Sequence, residues 1–159
     1  MSIKGRQSVE ETREVATGLL VNTYERPLDP KKRLTVPSVW RHALGSDYVY
    51  VMKEEGKPCL QLIPKGVFES RMAGIQEEAL SDDDLNDVLE RVGEDSELLE
   101  FDVQGRIRIS DNLLDHIGVD RDVVIIGAMN RLQVWAAGNE PSFGDAYSNV
   151  VAAAKTVRF

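Results

Sequence analysis

At 159 residues, 42% hydrophobic and 29% charged, the chain has the size and balance of one medium domain or of two small units sharing a core. No window reaches the roughly 18 consecutive apolar residues of a membrane span, and the first residues lack the apolar stretch of a secretory signal. The single Cys59 excludes an internal disulfide or a four-cysteine metal site, so a cytoplasmic chain is expected.

Residues 1–18 read as a polar arm. Ser8 and Glu11 have capping-box spacing for a short helix from Val9 to Val15, closed by Gly18. A first unit follows over residues 19–64. Leu19 to Tyr24 is rich in strand formers. Asp29 to Arg33 is a tight turn, in which Pro30 pre-sets φ and Asp29 can accept backbone N–H groups two residues on. Leu34-Thr35-Val36 alternates as a half-buried strand should. Pro37 then opens a helix from Ser38 to Leu44, with Val39, Ala43 and Leu44 on its inner side and Gly45 as its cap. Tyr48 to Met52 and Cys59 to Ile63 form a hairpin around Glu54 to Pro58.

Residues 65–97 form a helical, acidic connector. From Pro64 to Leu80, Val67, Phe68, Met72, Ile75 and Ala79 share one stripe. Ser81 is read as the cap of a second helix, with Leu85, Val88, Leu89 and Val92 as its stripe and Gly93 as its end. Residues 77–100 hold eleven acids against Arg91 alone, a charge of −10. The rest of the chain therefore carries +2, and the net −8 does not by itself exclude a nucleic-acid partner.

A second unit covers residues 98–136: a lead-in from Leu98 to Asp102, a turn at Gln104-Gly105, a strand at Ile107-Arg108-Ile109 and a helix from Asn112 to Ile117. Val123 to Ile126 and Leu132 to Trp135 form its hairpin. Residues 137–159 end in a helix from about Asp145 to Val157.

The two units are copies. A shift of 73 residues carries Asp29 onto Asp102, Arg33 onto Arg106, Leu34 onto Ile107, Val36 onto Ile109, Trp40 onto Leu113 and Gly45 onto Gly118. A unit of ~45 residues can hardly bury its own apolar face, so the copies must share one core. The expected class is α+β with a mainly β core.

The doubled D-x-x-x-R element, Asp29 to Arg33 and Asp102 to Arg106, each before a short helix and a hairpin, resembles the MraZ family of bacterial transcriptional regulators. More distantly it is similar to AbrB-type swapped-hairpin DNA-binding domains. Leu28-Asp29-x-Lys31-x-Arg33-Leu34-Thr35-Val36-Pro37 carries the first element. Asp102-x-x-Gly105-Arg106-Ile107, with Ile125-x-Gly127 and Leu132-x-Val134-Trp135, carries the second. The resemblance implies two AbrB-like repeats in a pseudo-twofold β-barrel with peripheral helices, and a homo-oligomeric ring. It also implies binding of double-stranded DNA at direct promoter repeats, repression of a cell-division and cell-wall gene cluster, and a nucleoid location. It implies no cofactor, no small-molecule substrate and no membrane partner. The chain departs from the family's pattern in two places: Lys32 stands where Gly usually precedes the first motif's Arg, and Leu20-Val21-Asn22 stands where Phe-Arg-Gly is usual.

On this reading Lys31, Lys32, Arg33, Arg41 and Arg106 are the candidate DNA contacts, and Asp29, Asp102 and Gly105 shape the turns. An arginine's planar fork suits phosphate or guanine. The first turn is expected to dominate, because Asp111, Asp115, Asp120 and Asp122 surround the second. Alternatively Arg33 and Arg106 only bridge to their own Asp residues, and the fold serves as a protein-interaction module. Cys59, His42 and His116 lack metal-site spacing, no phosphate loop or nucleophile motif is present, and an enzyme is not expected.

Overall fold

The structure is a computed structural model and describes residues 18–141, so the helices expected near Val9–Val15 and Asp145–Val157 lie outside the described residues. In chain order the elements are β1 (Thr23–Pro27), β2 (Arg33–Thr35), α1 (Ser38–Leu44), β3 (Tyr48–Lys53), β4 (Cys59–Pro64), α2 (Lys65–Ala79), α3 (Asp83–Glu94), β5 (Ser96–Glu100), β6 (Arg106–Arg108), α4 (Asp111–Ile117), β7 (Asp122–Gly127) and β8 (Leu132–Ala136).

All pairings are antiparallel. Six strands run in the order β1-β7-β8-β4-β3-β5, and β2 pairs with β6 as a separate ribbon. Exchanging the copies reads the six-strand order backwards, so the sheet has the internal twofold pattern of the sequence. Leu34 pairs with Ile107, its own equivalent, at the centre of the ribbon. The copies are interleaved: β1 of the first pairs with β7 of the second, and β5 of the second with β3 of the first.

The ladder does not close into the expected barrel. β1 and β5 are its edges among the described residues. The strands that could bridge them, β2 and β6, are three residues each and hydrogen-bond to one another instead. The ribbon only packs against β1 and β5.

Equivalent residues of both copies fill the core. Leu34 and Ile107, Val36 and Ile109, Trp40 and Leu113, and Leu44 and Ile117 are all buried. On α1 the inner residues are Trp40 and Leu44, one turn apart, whereas Val39 is 57% exposed, contrary to the expected face. Trp40 dictates this orientation: its Nε1 donates to the Val21 carbonyl at 2.7 Å, and Tyr24 meets its ring edge-on at 4.9 Å.

The first strand begins four residues later than expected. Leu20 makes only an isolated bridge to Met129, and the chain bends at Asn22, where φ is 79°. Asn tolerates this region better than most residues, which is how it can stand where the family usually has Gly. Gly127 donates to the Asn22 carbonyl at 2.8 Å, and a Cβ on it would lie 2.7 Å from the Leu20 backbone. Gly127→Ala should therefore lower stability by about 1–3 kcal/mol in denaturant unfolding, because backbone rather than a side-chain tip must move.

The connector helices cover β3, β4 and β5, away from the ribbon. Phe68 of α2 stacks on Tyr50 at 4.1 Å, and the Tyr50 hydroxyl donates to Glu69 at 2.8 Å. The cap of α3 is Asp82, not Ser81: its carboxylate accepts from the Asp84 and Leu85 N–H groups. The helix also runs through Gly93 to Glu94, and Ser96 Oγ then donates back to the Val92 carbonyl at 2.5 Å.

Candidate nucleic-acid interface

The two D-x-x-x-R turns are built by one hydrogen-bond pattern. Asp29 Oδ1 accepts the N–H groups of Lys31 (2.9 Å) and Arg33 (2.8 Å), while Oδ2 accepts Arg33 Nε at 2.6 Å. Asp102 Oδ1 accepts Gln104 and Arg106 N–H, both at 2.9 Å, and Oδ2 accepts Arg106 Nε at 2.8 Å. Each carboxylate thus closes a turn and aims a guanidinium. Burial pushes the Asp29 carboxyl up, but the Arg33 N–H, the Arg33 guanidinium and the Lys31 N–H outweigh it and leave the pKa lowered. The Arg106 N–H is the main influence holding Asp102 low.

Only Nε of each arginine is engaged by its Asp. The terminal nitrogens of Arg33 and Arg106 have no hydrogen-bond partner among the described residues. Leu34 and Ile107 point into the core, so alternation turns Arg33, Thr35, Arg106 and Arg108 to the outer face of the ribbon. In register, Arg33 lies opposite Arg108, and Thr35 opposite Arg106. Arg108 is absent from the candidates drawn from sequence. Strand alternation carries its signal, since it places Arg108 on the face of Arg106 two residues on. The ribbon also places the two turns at opposite ends of one surface.

The remaining candidates lie around the same ribbon. Lys31 is exposed. Lys32 has φ 61° and its Nζ lies 3.3 Å from Asp111 Oδ1 on α4. Gly105 has φ 77° at the matching position, beneath the Arg41 guanidinium of α1. Arg41 Nε donates to the Val36 carbonyl at 3.0 Å. Thus Lys31, Lys32, Arg33, Arg41 and Arg106 all border one surface, with Arg108 added.

The histidine and cysteine positions have other duties. His116 Nε2 donates to the carbonyls of Glu54 (3.0 Å) and Lys57 (2.9 Å), tying the β3–β4 turn to α4. His42 is exposed on α1. Cys59 is buried, with its thiol 2.8 Å from Glu54 Oε2, and burial and that carboxylate push its pKa up to about 12. A thiol-directed alkylating reagent at about pH 8 should leave Cys59 unmodified in the folded protein and label it on unfolding.

Fold and face together define an α+β protein of two interleaved copies that presents an arginine-lined β-ribbon to solvent. The family described as "MraZ protein, putative antitoxin-like" matches residues 95–139. A protein named "Transcriptional regulator MraZ" from Mycoplasma mycoides subsp. mycoides is 30% identical over 118 residues, covering 74% of this chain and 87% of its own. Proteins of the same name from Saccharopolyspora erythraea (27% identical, 86% of this chain and 94% of its own) and Clostridium beijerinckii (28%, 74% and 82%) are also similar. The chain belongs to the MraZ family. Its relatives are named as transcriptional regulators, not as enzymes, and no helix of the described residues is long and apolar enough to cross a membrane.

Proposed function

We propose that this protein is a sequence-specific DNA-binding transcriptional regulator that contacts DNA through the outer face of the β2–β6 ribbon. The observation that carries this reading is the set of guanidiniums on that face: Arg33 and Arg106 held at Nε by their own Asp residues, and Arg108 beside Arg33. Two arginines opposite one another on a strand pair disfavour folding. Their presence is reasonable if an anion sits between them, and a phosphodiester backbone is that anion. Lys31, Lys32 and Arg41 extend the surface at its two ends.

Residues 19–64 and 98–136 act in this proposal as two AbrB-like swapped-hairpin repeats, joined by the acidic connector 65–97. The arm 1–18 and the tail 137–159 flank them. One ribbon binds weakly, since each phosphate contact is modest and salt-sensitive. A ring of copies engages direct promoter repeats together, and linking raises avidity by ~10²–10⁴ where geometry permits. The regulator then acts as a repressor of a cell-division and cell-wall gene cluster, in the cytoplasm at the nucleoid, without a cofactor. A labelled duplex from the protein's own upstream region, carrying two direct repeats, should bind far more tightly than one carrying a single repeat. Equal affinity for both, or a monomer by light scattering at micromolar concentration, would refute the ring.

A second reading is favoured by the acidic face of residues 77–100: an interaction module with little DNA binding. It predicts capture of a protein through that face, lost when its acids are replaced by Asn and Gln, with no DNA complex at low salt.

A further inference from the structure

Among the differences between the two turns and their surroundings, three are linked in space. Lys32, Asp111 and Leu114 stand around the first turn where Gly105, Ser38 and Arg41 stand around the second, each pair 73 residues apart. The backbone makes the comparison strict. Val36 N–H donates to the Gly105 carbonyl and Ile109 N–H to the Lys32 carbonyl, both at 3.1 Å, so each turn is docked on the opposite copy in the same way. Both turn residues have positive φ, 61° at Lys32 and 77° at Gly105.

What differs is where the cation comes from. At the second turn a Cβ on Gly105 would overlap the guanidinium of Arg41, which reaches across from α1 and is held there by the Val36 carbonyl. A side chain at position 105 would displace the Arg41 guanidinium, the flexible tip of that side chain, from this seat. At the first turn the side chain is present, on Lys32, and the equivalent of Arg41 is the buried Leu114. The ammonium of Lys32 is instead held by Asp111 at 3.3 Å, where the other copy has the uncharged Ser38.

From this we infer that Lys32 and Arg41 are one functional position supplied by two alternative routes, a turn-borne lysine or a helix-borne arginine. Each turn thereby presents a second phosphate-binding cation beside its D-x-x-x-R arginine. The three differences compensate one another. The second turn is thereby less poor in cations than its acidic sequence neighbours suggest, because its extra cation is contributed by the first copy, although Gln104 stands where the first turn has Lys31. This inference rests on the DNA-binding reading, and a stability measurement separates the two.

The test compares wild type with Lys32→Gly, Leu114→Arg and the double variant, measuring affinity for the upstream duplex across a salt series and Tm without DNA. Lys32→Gly should reduce the slope of log affinity against log salt by about 0.9, the loss of one phosphate contact. The double variant should restore the slope, with the introduced arginine taking the place that Arg41 has at the other end. Leu114→Arg alone should lower Tm, and Lys32→Gly should relieve much of that loss. The reverse conversion, Gly105→Lys with Ser38→Asp and Arg41→Leu, should keep the wild-type slope and guards against a Leu114→Arg chain that does not fold. A double variant with the slope of Lys32→Gly, together with a reverse conversion that loses one contact, overturns the inference. Should wild type not bind DNA at low salt, the DNA-binding reading fails, and the Tm cycle alone decides the exchange: equal losses from Leu114→Arg with and without the Lys32→Gly change would refute it.

Discussion

Replacing Arg33 by Ala and Arg108 by Thr together is expected to lower affinity for the upstream duplex by about a hundredfold and to reduce the salt slope by about 1.8. Each guanidinium counts here as one phosphate or base contact, and both project from the outer face of the same short ribbon. Arg108→Thr is the cleaner half of the experiment. Thr35 is its equivalent in the first copy, so the fold already accommodates threonine at that position. Removing one of two facing like charges should also leave Tm unchanged or raise it. Lower DNA affinity with an undiminished Tm separates a binding residue from a structural one. If Arg108→Thr binds like wild type, the ribbon face is not the contact surface.

The second large effect falls on stability. Changing Asp29 and Asp102 to Asn removes the carboxylate that each turn uses to accept two backbone N–H groups and one guanidinium. At neutral pH the double variant should melt several degrees below wild type. Both carboxyls titrate below their ordinary value of 3.8 in the folded chain, so folding favours their ionised form. Their contribution is therefore complete above that value and is lost as pH falls through the lower, folded value. The difference in Tm should shrink as pH falls below the ordinary carboxylate value and through the lower, folded one. A gap that persists in acid would mean that turn geometry, rather than charge, sets the stability.

The two predictions meet in the same residues. Each Asp takes only Nε of its arginine, which fixes the direction of the guanidinium and leaves its outer edge available. A carboxylate that bound the two terminal nitrogens instead would have used up the group. The alternatives of structural ion pair and DNA contact are therefore compatible here: the ion pair positions what the ligand would meet.

Much of the fold is legible in the chain because it is written twice. Turn residues, the glycine caps at Gly45 and Gly118, and the alternation at Leu34 and Ile107 mark the same elements in both copies. Pairing is not legible. Nothing local says that β1 bonds to β7, or that β2 and β6 pair with each other and leave the sheet open, since these are choices between distant segments of similar pattern. The inner face of α1 is misread from sequence because Val39 and Trp40 are both apolar, and only the reach of the indole to the Val21 carbonyl selects between them. At the site, spacing alone identifies Asp29, Arg33, Asp102 and Arg106. Strand alternation with Arg106 could have found Arg108, but its place opposite Arg33 and the seat of Arg41 over Gly105 are hidden, because both depend on the contact between copies.

The most direct test of the central claim is titration of the upstream duplex by wild-type protein across a salt series from about 50 to 200 mM. The ribbon account predicts a complex at low salt whose log affinity falls linearly with log salt, with a slope that decreases by about 0.9 for each of Arg33, Arg106 and Arg108 removed. No complex at the lowest salt, or a slope that none of these substitutions alters, would contradict it.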